Sequence, residues 1–358
     1  MAHEILLRVE RAGAYASVLL DHRGDRLPDP REGALLHALV LGVLRRQSLL
    51  DEWISRASAR SPDQIDPEVR VALRIGAYEL LFHERVPDFA AVDSAVALLK
   101  KGPRRGAVGF ANGVLRALAR GDRAAPLAPA TPGDVEGLAL RESHPAWWVG
   151  RLVERIGWEE AASILRRNNE PAPTVLRVNG RITTQERLLE SLSEEGVDAR
   201  PGRFVPGALR VLSGNARRSS ALREGRAWVQ DEAAQLVGFM LGRPLGGRVA
   251  DLCAAPGGKT MQLAEWLAED GLLVAADRHA GRLRRLAANL RRVGARGVAP
   301  LLADMAAGSA PLRGPFDQIL LDAPCSGSGT LRRHPEIRWR LKAEDLKLLA
   351  ARQRRLLE

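Results

Sequence analysis

Residues 249–260 read VADLCAAPGGKT, and this stretch decides the fold. A short apolar run closes on Asp251, a turn of small residues and glycines follows, and an apolar-periodic segment occupies 261–267. That order is strand, tight loop, helix. In an open α/β sheet, the loop at the carboxyl end of such a strand is where a nucleotide-like ligand lies, because glycines let ligand atoms approach the backbone. Neither familiar phosphate loop fits. A P-loop needs a glycine five positions before its Gly-Lys-Thr, where this chain has Cys253, and a dinucleotide fingerprint needs G-x-G-x-x-G, whereas Gly257 and Gly258 are adjacent.

Downstream, three more strands are predicted. Residues 272–276 lead into Asp277, 298–303 into Asp304, and 317–321 into Asp322-Ala323-Pro324-Cys325. Four successive strands therefore carry an acid at or near the carboxyl end. In a parallel sheet those ends face one crevice, where a carboxylate about 20 residues past the first loop can hold ribose hydroxyls.

The stretches DLCAAPGGKT (251–260) and LLDAPCSGSGTLRRHPEIRW (320–339) resemble the first and fourth motifs of the RNA cytosine-C5 methyltransferases of the Sun/NSUN type, in particular the bacterial members that act on 16S ribosomal RNA. The resemblance extends upstream. RIGAYELLF (74–82) and GFANGVLRAL (109–118) resemble a NusB-like RNA-binding domain, Arg177-Val178-Asn179 matches the usual opening of an RNA-binding element, and residues 229–233 (VQDEA) lead into the helix before the glycine loop.

The resemblance implies an α plus α/β multidomain protein. Its parts are a NusB-like all-helical bundle (1–120), a linker (121–133), a small α/β RNA-binding subdomain (134–242) and a Rossmann-like S-adenosylmethionine methyltransferase sheet (243–358), truncated after its fourth strand. It also implies the cofactor S-adenosyl-L-methionine, with Cys253, Ala254, Ala255, Pro256, Gly257, Gly258 and Lys259 wrapping the methionine part, Asp277 on the ribose, Asp304 on the adenine amine and Asp322 between cofactor and base. Cys325, Asp322 and Lys259 are the candidate catalytic residues. The cysteine of this motif assists product release in the family, and the attacking thiol belongs to a Thr-Cys motif expected beyond residue 358. DNA cytosine methyltransferases use a Pro-Cys thiol as nucleophile, which keeps Cys325 open as attacker. A thiol is needed because C5 of cytosine is a weak nucleophile until a thiolate adds at C6. A metal is unnecessary. The competing function is a non-catalytic RNA-binding or ribosome-assembly protein that keeps the cofactor pocket.

Composition agrees with an RNA partner. The 358 residues hold 54 basic and 43 acidic side chains, a net charge of +11, which predisposes the protein to bind a polyanion. Cys253 and Cys325 are the two cysteines, too few for a disulfide framework or a structural zinc site, so a reducing cytoplasm is expected. The first 20 residues are broken by charge and lack the apolar core of a signal peptide, and the longest apolar segment, 34–44, is too short to span a bilayer. A monomer is expected.

Residues 2–120 read as helices throughout. Leu6, Val9, Ala12, Ala16 and Leu19 recur at three- and four-residue steps, as do Leu36, Val40, Val43 and Leu44, with further helices over 49–58, 67–83, 90–101 and 106–118. Lys100, Lys101, Arg104, Arg105, Arg116 and Arg120 gather where phosphates would be met. Residues 121–133, rich in proline and alanine, read as a stiff linker. Beyond it, helices are predicted around 147–156, 159–168 and 185–194, and strands over 174–178 and 208–212. Trp147, Trp148 and Trp158 fall at helical spacing beside apolar residues and are expected in a core rather than stacked on bases. Arg282, Arg284, Arg285, Arg291 and Arg292 predict one basic face on the helix after Asp277.

Overall fold

In the computed structural model, residues 1–24, 27, 29–83, 86–100, 102–121, 131–243, 245–307 and 312–358 are described. Their contacts divide the chain into a helical unit, Met1–Ala172 with Gly327–Ala343, and an α/β unit, Pro173–Ser326 with Glu344–Glu358. Most of the expected linker, 122–130, and Lys101 lie outside the described residues.

The helical unit starts with Ala2–Ala12, Ala16–Gly24, Pro30–Arg45, Gln47–Ser58, Pro67–Phe82, Asp88–Lys100 and Val108–Arg120. Asp29 and Asp66 cap two of these with side-chain oxygens, each followed by proline at the first helical position, where no amide hydrogen is needed. The periodicity over 6–19 is not one helix. The chain breaks at Gly13, whose left-handed φ of 60° closes the first helix, and this leaves Ala12 exposed while Leu6, Val9, Ala16 and Leu19 stay buried. Ile5, Leu20, Leu50, Leu73, Leu99 and Leu115 form the core. Arg74, within the NusB-like stretch, is buried and grips both oxygens of Asp51 at 2.7 Å, so it is a structural residue rather than a phosphate contact.

Helices Val135–Arg141, Ala146–Ile156 and Trp158–Asn168 belong to this same unit, gathered around Leu138, Val149 and Leu165. The division thus falls at Ala172/Pro173, inside the 134–242 stretch expected as one subdomain. Trp148 and Trp158 pack on that cluster as expected, whereas Trp147 is half-buried outside it.

Gly327–Ala343 threads back into the helical unit. Arg338, 2% exposed, donates to Ser143 O at 2.8 Å and Asn169 Oδ1 at 2.9 Å, and burial lowers its pKa to about 9. Trp339 Nε1 donates to Leu44 O at 3.0 Å, and Glu336 Oε1 accepts from the Ala16 amide at 3.0 Å. The second half of the LLDAPCSGSGTLRRHPEIRW stretch therefore builds the helical core.

The α/β unit holds two sheets. The first is antiparallel, of β1 (Val175–Val178), β2 (Asp198–Pro201), β3 (Ala208–Ser213) and β4 (Ala227–Val229), in the order β2-β3-β1-β4. Its helix, Gln185–Glu194, covers Leu188 and Leu192 against Leu176 and Leu209. The second sheet is parallel, of β5 (Arg248–Asp251), β6 (Leu272–Asp277), β7 (Val298–Leu302) and β8 (Gln318–Leu320), in the order β7-β6-β5-β8. The central strands are apolar on both faces, with Val249, Ala250, Leu273 and Ala275 fully buried, as a helix-covered parallel sheet requires. Arg177 ties the two sheets together: it is 2% exposed, pairs with Glu265 at 3.1 Å and lies over the Phe239 and Trp266 rings. Asn179, also buried, donates to Gly225 O and Val293 O, so this expected opening of an RNA-binding element is internal scaffolding.

Candidate active site

The reversal of strand order between β6-β7 and β5-β8 opens a crevice at the carboxyl ends. After β5 the chain turns at Gly257, whose φ of 110° lies in the left-handed region. A Cβ there would sit 2.5 Å from Leu286 Cδ1, so glycine is required. The next helix, Gly258–Trp266, begins three residues before the apolar pattern does, because Lys259 and Thr260 take its first turn.

Asp251, 1% exposed, receives the Thr260 hydroxyl at 2.8 Å, while its Oδ1 is buried without a partner among the described residues. Burial pushes its carboxyl up to about 6. Asp277, 7% exposed, accepts the His279 amide at 2.8 Å and the Ala255 amide at 3.3 Å, which pins the glycine loop to the tip of β6. Asp304 is capped by the Ala306 amide at 3.1 Å and lies 3.9 Å from Arg278. Lys259 Nζ donates to Asp322 Oδ2 at 2.6 Å.

A cavity of about 370 Å³ brings together Cys253, Asp277, Asp304, Asp322 and Cys325. A second hollow of about 180 Å³ shares Cys253, Ala255 and Asp322 with it and adds Asp251, Pro256 and Lys259. Ala254 and Gly258 border this second hollow, so Gly257 alone among the predicted residues lines neither; its role is the turn. The two thiols differ. Burial, reinforced by Asp251, Asp277 and Asp322, pushes Cys253 up to about 11, which keeps it protonated, whereas Cys325 is exposed at the cavity.

Sequence reasoning missed three cations of the cavity, Arg278, Arg282 and Arg352. Arg282 was read only as part of a basic face, although its place in the first turn of Ala280–Arg292, directly after the acid-tipped β6, was a usable signal. Arg352 comes from Ala343–Leu357, where nothing in the pattern points to the crevice; its neighbour Gln353 donates to Pro324 O at 3.0 Å and steadies the Pro-Cys turn. The basic face itself needs correction at Arg292, which turns inward to donate to Leu222 O at 2.7 Å. Among the described residues no group of acids, histidines and cysteines is placed to hold a metal, and no helix is long and apolar enough to cross a membrane.

An open parallel sheet with an acid at or near each strand tip and a glycine loop after its first strand is the arrangement of an α/β-class methyltransferase. Comparison with known proteins narrows this. The family model for 16S rRNA methyltransferase RsmB/F matches residues 241–358, that of the NusB family residues 1–120, and that of a RsmF/B-like ferredoxin-like domain residues 144–216. The probable ribosomal RNA small subunit methyltransferase B of Bacillus subtilis is 32% identical over 98% of this chain and 78% of its own length. The corresponding Escherichia coli protein, from strain SMS-3-5, is 34% identical over 100% and 81%. The crystal structure of PH0851 superposes with a TM-score of 0.81 at 26% identity, covering 100% of this chain and 82% of that one. A methyltransferase homolog protein from Pyrococcus horikoshii covers 63% of this chain and 72% of its own, with a TM-score of 0.55 at 28% identity. The chain belongs to the RsmB family of small-subunit ribosomal RNA methyltransferases.

Proposed function

We propose that this protein transfers a methyl group from S-adenosylmethionine to C5 of a cytosine in 16S ribosomal RNA, through a covalent thiol adduct at C6. The observation that carries the reading is the convergence of Asp277, Asp304, Asp322 and Cys325 on one crevice, in a chain of this family. The residues fit the cofactor: carboxylate acceptors at successive strand tips suit its ribose hydroxyls and amines, and the loop amides pinned by Asp277 suit a close approach. When bound, the cofactor supplies an electrophilic sulfonium methyl group.

The chain's own residues do the rest. Asp277 holds the ribose and Asp304 the adenine amine. Lys259, fixed by Asp322, presents its ammonium where negative charge develops on the ring once a thiolate has added to C6. C5 then takes the methyl group, loses its proton, and the C6–S bond breaks to restore the ring. Cys325 assists that last step, and its exposure at the cavity also supports a second reading in which it makes the attack.

Incubation with RNA containing 5-azacytidine separates the roles. An adduct that vanishes in Cys325→Ala assigns attack to Cys325, and one that persists assigns it to Cys253, the other cysteine of this sequence. No adduct with either chain excludes attack by these two thiols. Absence of methyl transfer from labelled cofactor to unmodified small-subunit rRNA, with an attacking thiol present, would leave the non-catalytic RNA-binding role standing instead.

A further inference from the structure

One side of the antiparallel sheet lies under helix Gln185–Glu194, where Leu176, Ala199, Leu209 and Val211 pack. Because side chains alternate along a strand, the other side carries Ala208, Arg210 and Leu212 of β3. It also carries Arg200 of β2, which the register sets directly opposite Arg210. Both arginines are exposed, and neither guanidinium has an acidic partner among the described residues. Asp198 does not reach them: the register shifts after it, and its side chain joins Glu190 and Glu194 in a groove on the helix-covered side. Like charges facing each other across a strand pair destabilise a sheet, and a phosphate set between them would relieve the repulsion.

The loop over 202–207 folds across this same arginine-bearing side. Val205, 4% exposed, packs with Val175 and Ala208. The Gly202 amide donates to Ala208 O at 2.7 Å, the Phe204 amide to Glu232 Oε1 at 2.8 Å, and Arg177 Nη1 to Pro206 O at 2.8 Å. The loop is pinned at three points, yet the Phe204 ring is held out at 64% exposure with the Arg203 guanidinium 5.2 Å from its centroid. A fixed, exposed aromatic face beside unpaired guanidiniums is the combination that single-stranded nucleic acid fits, bases stacking on the ring while phosphates follow the cations. Glu232 also opens the helix Glu232–Phe239, and Ala234 of that helix, with Gln230 just before it, borders the hollow that contains Lys259. The exposed ring and the hollow therefore share one helix end.

We infer that this face holds the single-stranded RNA flanking the target cytosine, with one base stacked on Phe204 and the backbone running over Arg200 and Arg210. The inference rests on the proposed RNA substrate and names the residues that would grip it away from the methyl-transfer crevice. It also gives the small sheet a contact surface, where Arg177 and Asn179 serve only as internal scaffolding.

The test follows a fluorescein-labelled oligouridine carrying one central cytosine by anisotropy, with the 358-residue chain saturated with S-adenosylhomocysteine. Phe204→Ala is expected to weaken binding about tenfold and Phe204→Trp to preserve it, since stacking needs a ring and not a particular one. Replacing single bases by abasic sites is expected to weaken binding to the wild-type chain at one position beside the cytosine, and that penalty should vanish in Phe204→Ala. The double variant Arg200→Ala, Arg210→Ala should lower the salt slope by about 1.4, the value for two phosphates of a single strand. S-adenosylhomocysteine affinity is expected to stay the same in every variant. Unchanged RNA binding in Phe204→Ala, abasic penalties that all survive in it, or an unaltered salt slope in the double variant would overturn the inference. RNA bound without regard to Phe204 sinks this inference alone, whereas no RNA bound by the wild-type chain removes the RNA substrate on which it rests.

Discussion

The two halves of one sequence motif have opposite environments. Residues 320–326 end a strand and leave Asp322 and Cys325 exposed, with the Asp322 side chain at 50% and Cys325 open to the cavity. Residues 327–339 include two charged residues that are buried, Glu336 at 1% and Arg338 at 2% exposure, the arginine held by carbonyls and a carboxamide of its own unit. The difference shows that the polar residues of one continuous motif divide between the crevice and the interior of the helical unit.

The strongest way to break this contrast is Arg338→Ala. It strands several acceptors in the helical core and is expected to cost about 4 kcal/mol of stability, read by urea denaturation, while S-adenosylhomocysteine affinity is kept. A cost below about 1 kcal/mol would mean that Arg338 is no scaffold residue.

Next in size is Asp251→Asn. Burial raises the folded-state pKa of Asp251 from 3.8 to about 6, so its contribution is fully present below the lower value, where it is protonated in both states, and is lost as pH rises through the upper one. The uncharged variant should therefore gain on wild type as pH rises from about 4 to about 6, by up to about 3 kcal/mol, and keep that gain at higher pH. Denaturation curves that keep a constant separation across this range would show that Asp251 does not titrate there.

Asp277→Ala sharpens the other side. It is expected to weaken S-adenosylmethionine binding by about 2 kcal/mol, since it removes the proposed acceptor of the ribose and releases the Ala255 and His279 amides. Calorimetry giving the wild-type affinity would remove Asp277 from the site. The smallest effect is expected at Arg104, an exposed partner of Asp66 at 2.8 Å. Arg104→Ala should change stability by less than about 1 kcal/mol yet lower the salt slope of RNA binding by about 1 if it meets a phosphate.

Much of this was legible in the sequence because it depends on local order. The tips of β5 to β8 were found from apolar runs ending in Asp251, Asp277, Asp304 and Asp322, and the helices over 30–58 from their spacing. Other features left no local trace. β2 is the exposed tetrapeptide DARP, whose strand character comes only from pairing with β3. Arg74, Arg177 and Arg338 look like any surface arginine until distant carboxylates and carbonyls close around them. Arg292 belonged by position to a basic face, and tertiary carbonyls drew it inward. Residue type and spacing reveal which groups lie at strand tips, whereas burial of a charge is decided by partners far along the chain.

Because the chain leaves the α/β unit after Ser326 and rejoins it at Glu344, no single cut yields either half whole. A fragment ending at Ala172 would lack the indole of Trp339 and the guanidinium of Arg338, leaving the carbonyls of Leu44 and Ser143 without those donors. Anyone transplanting the helical half onto another sheet must therefore carry two separate segments.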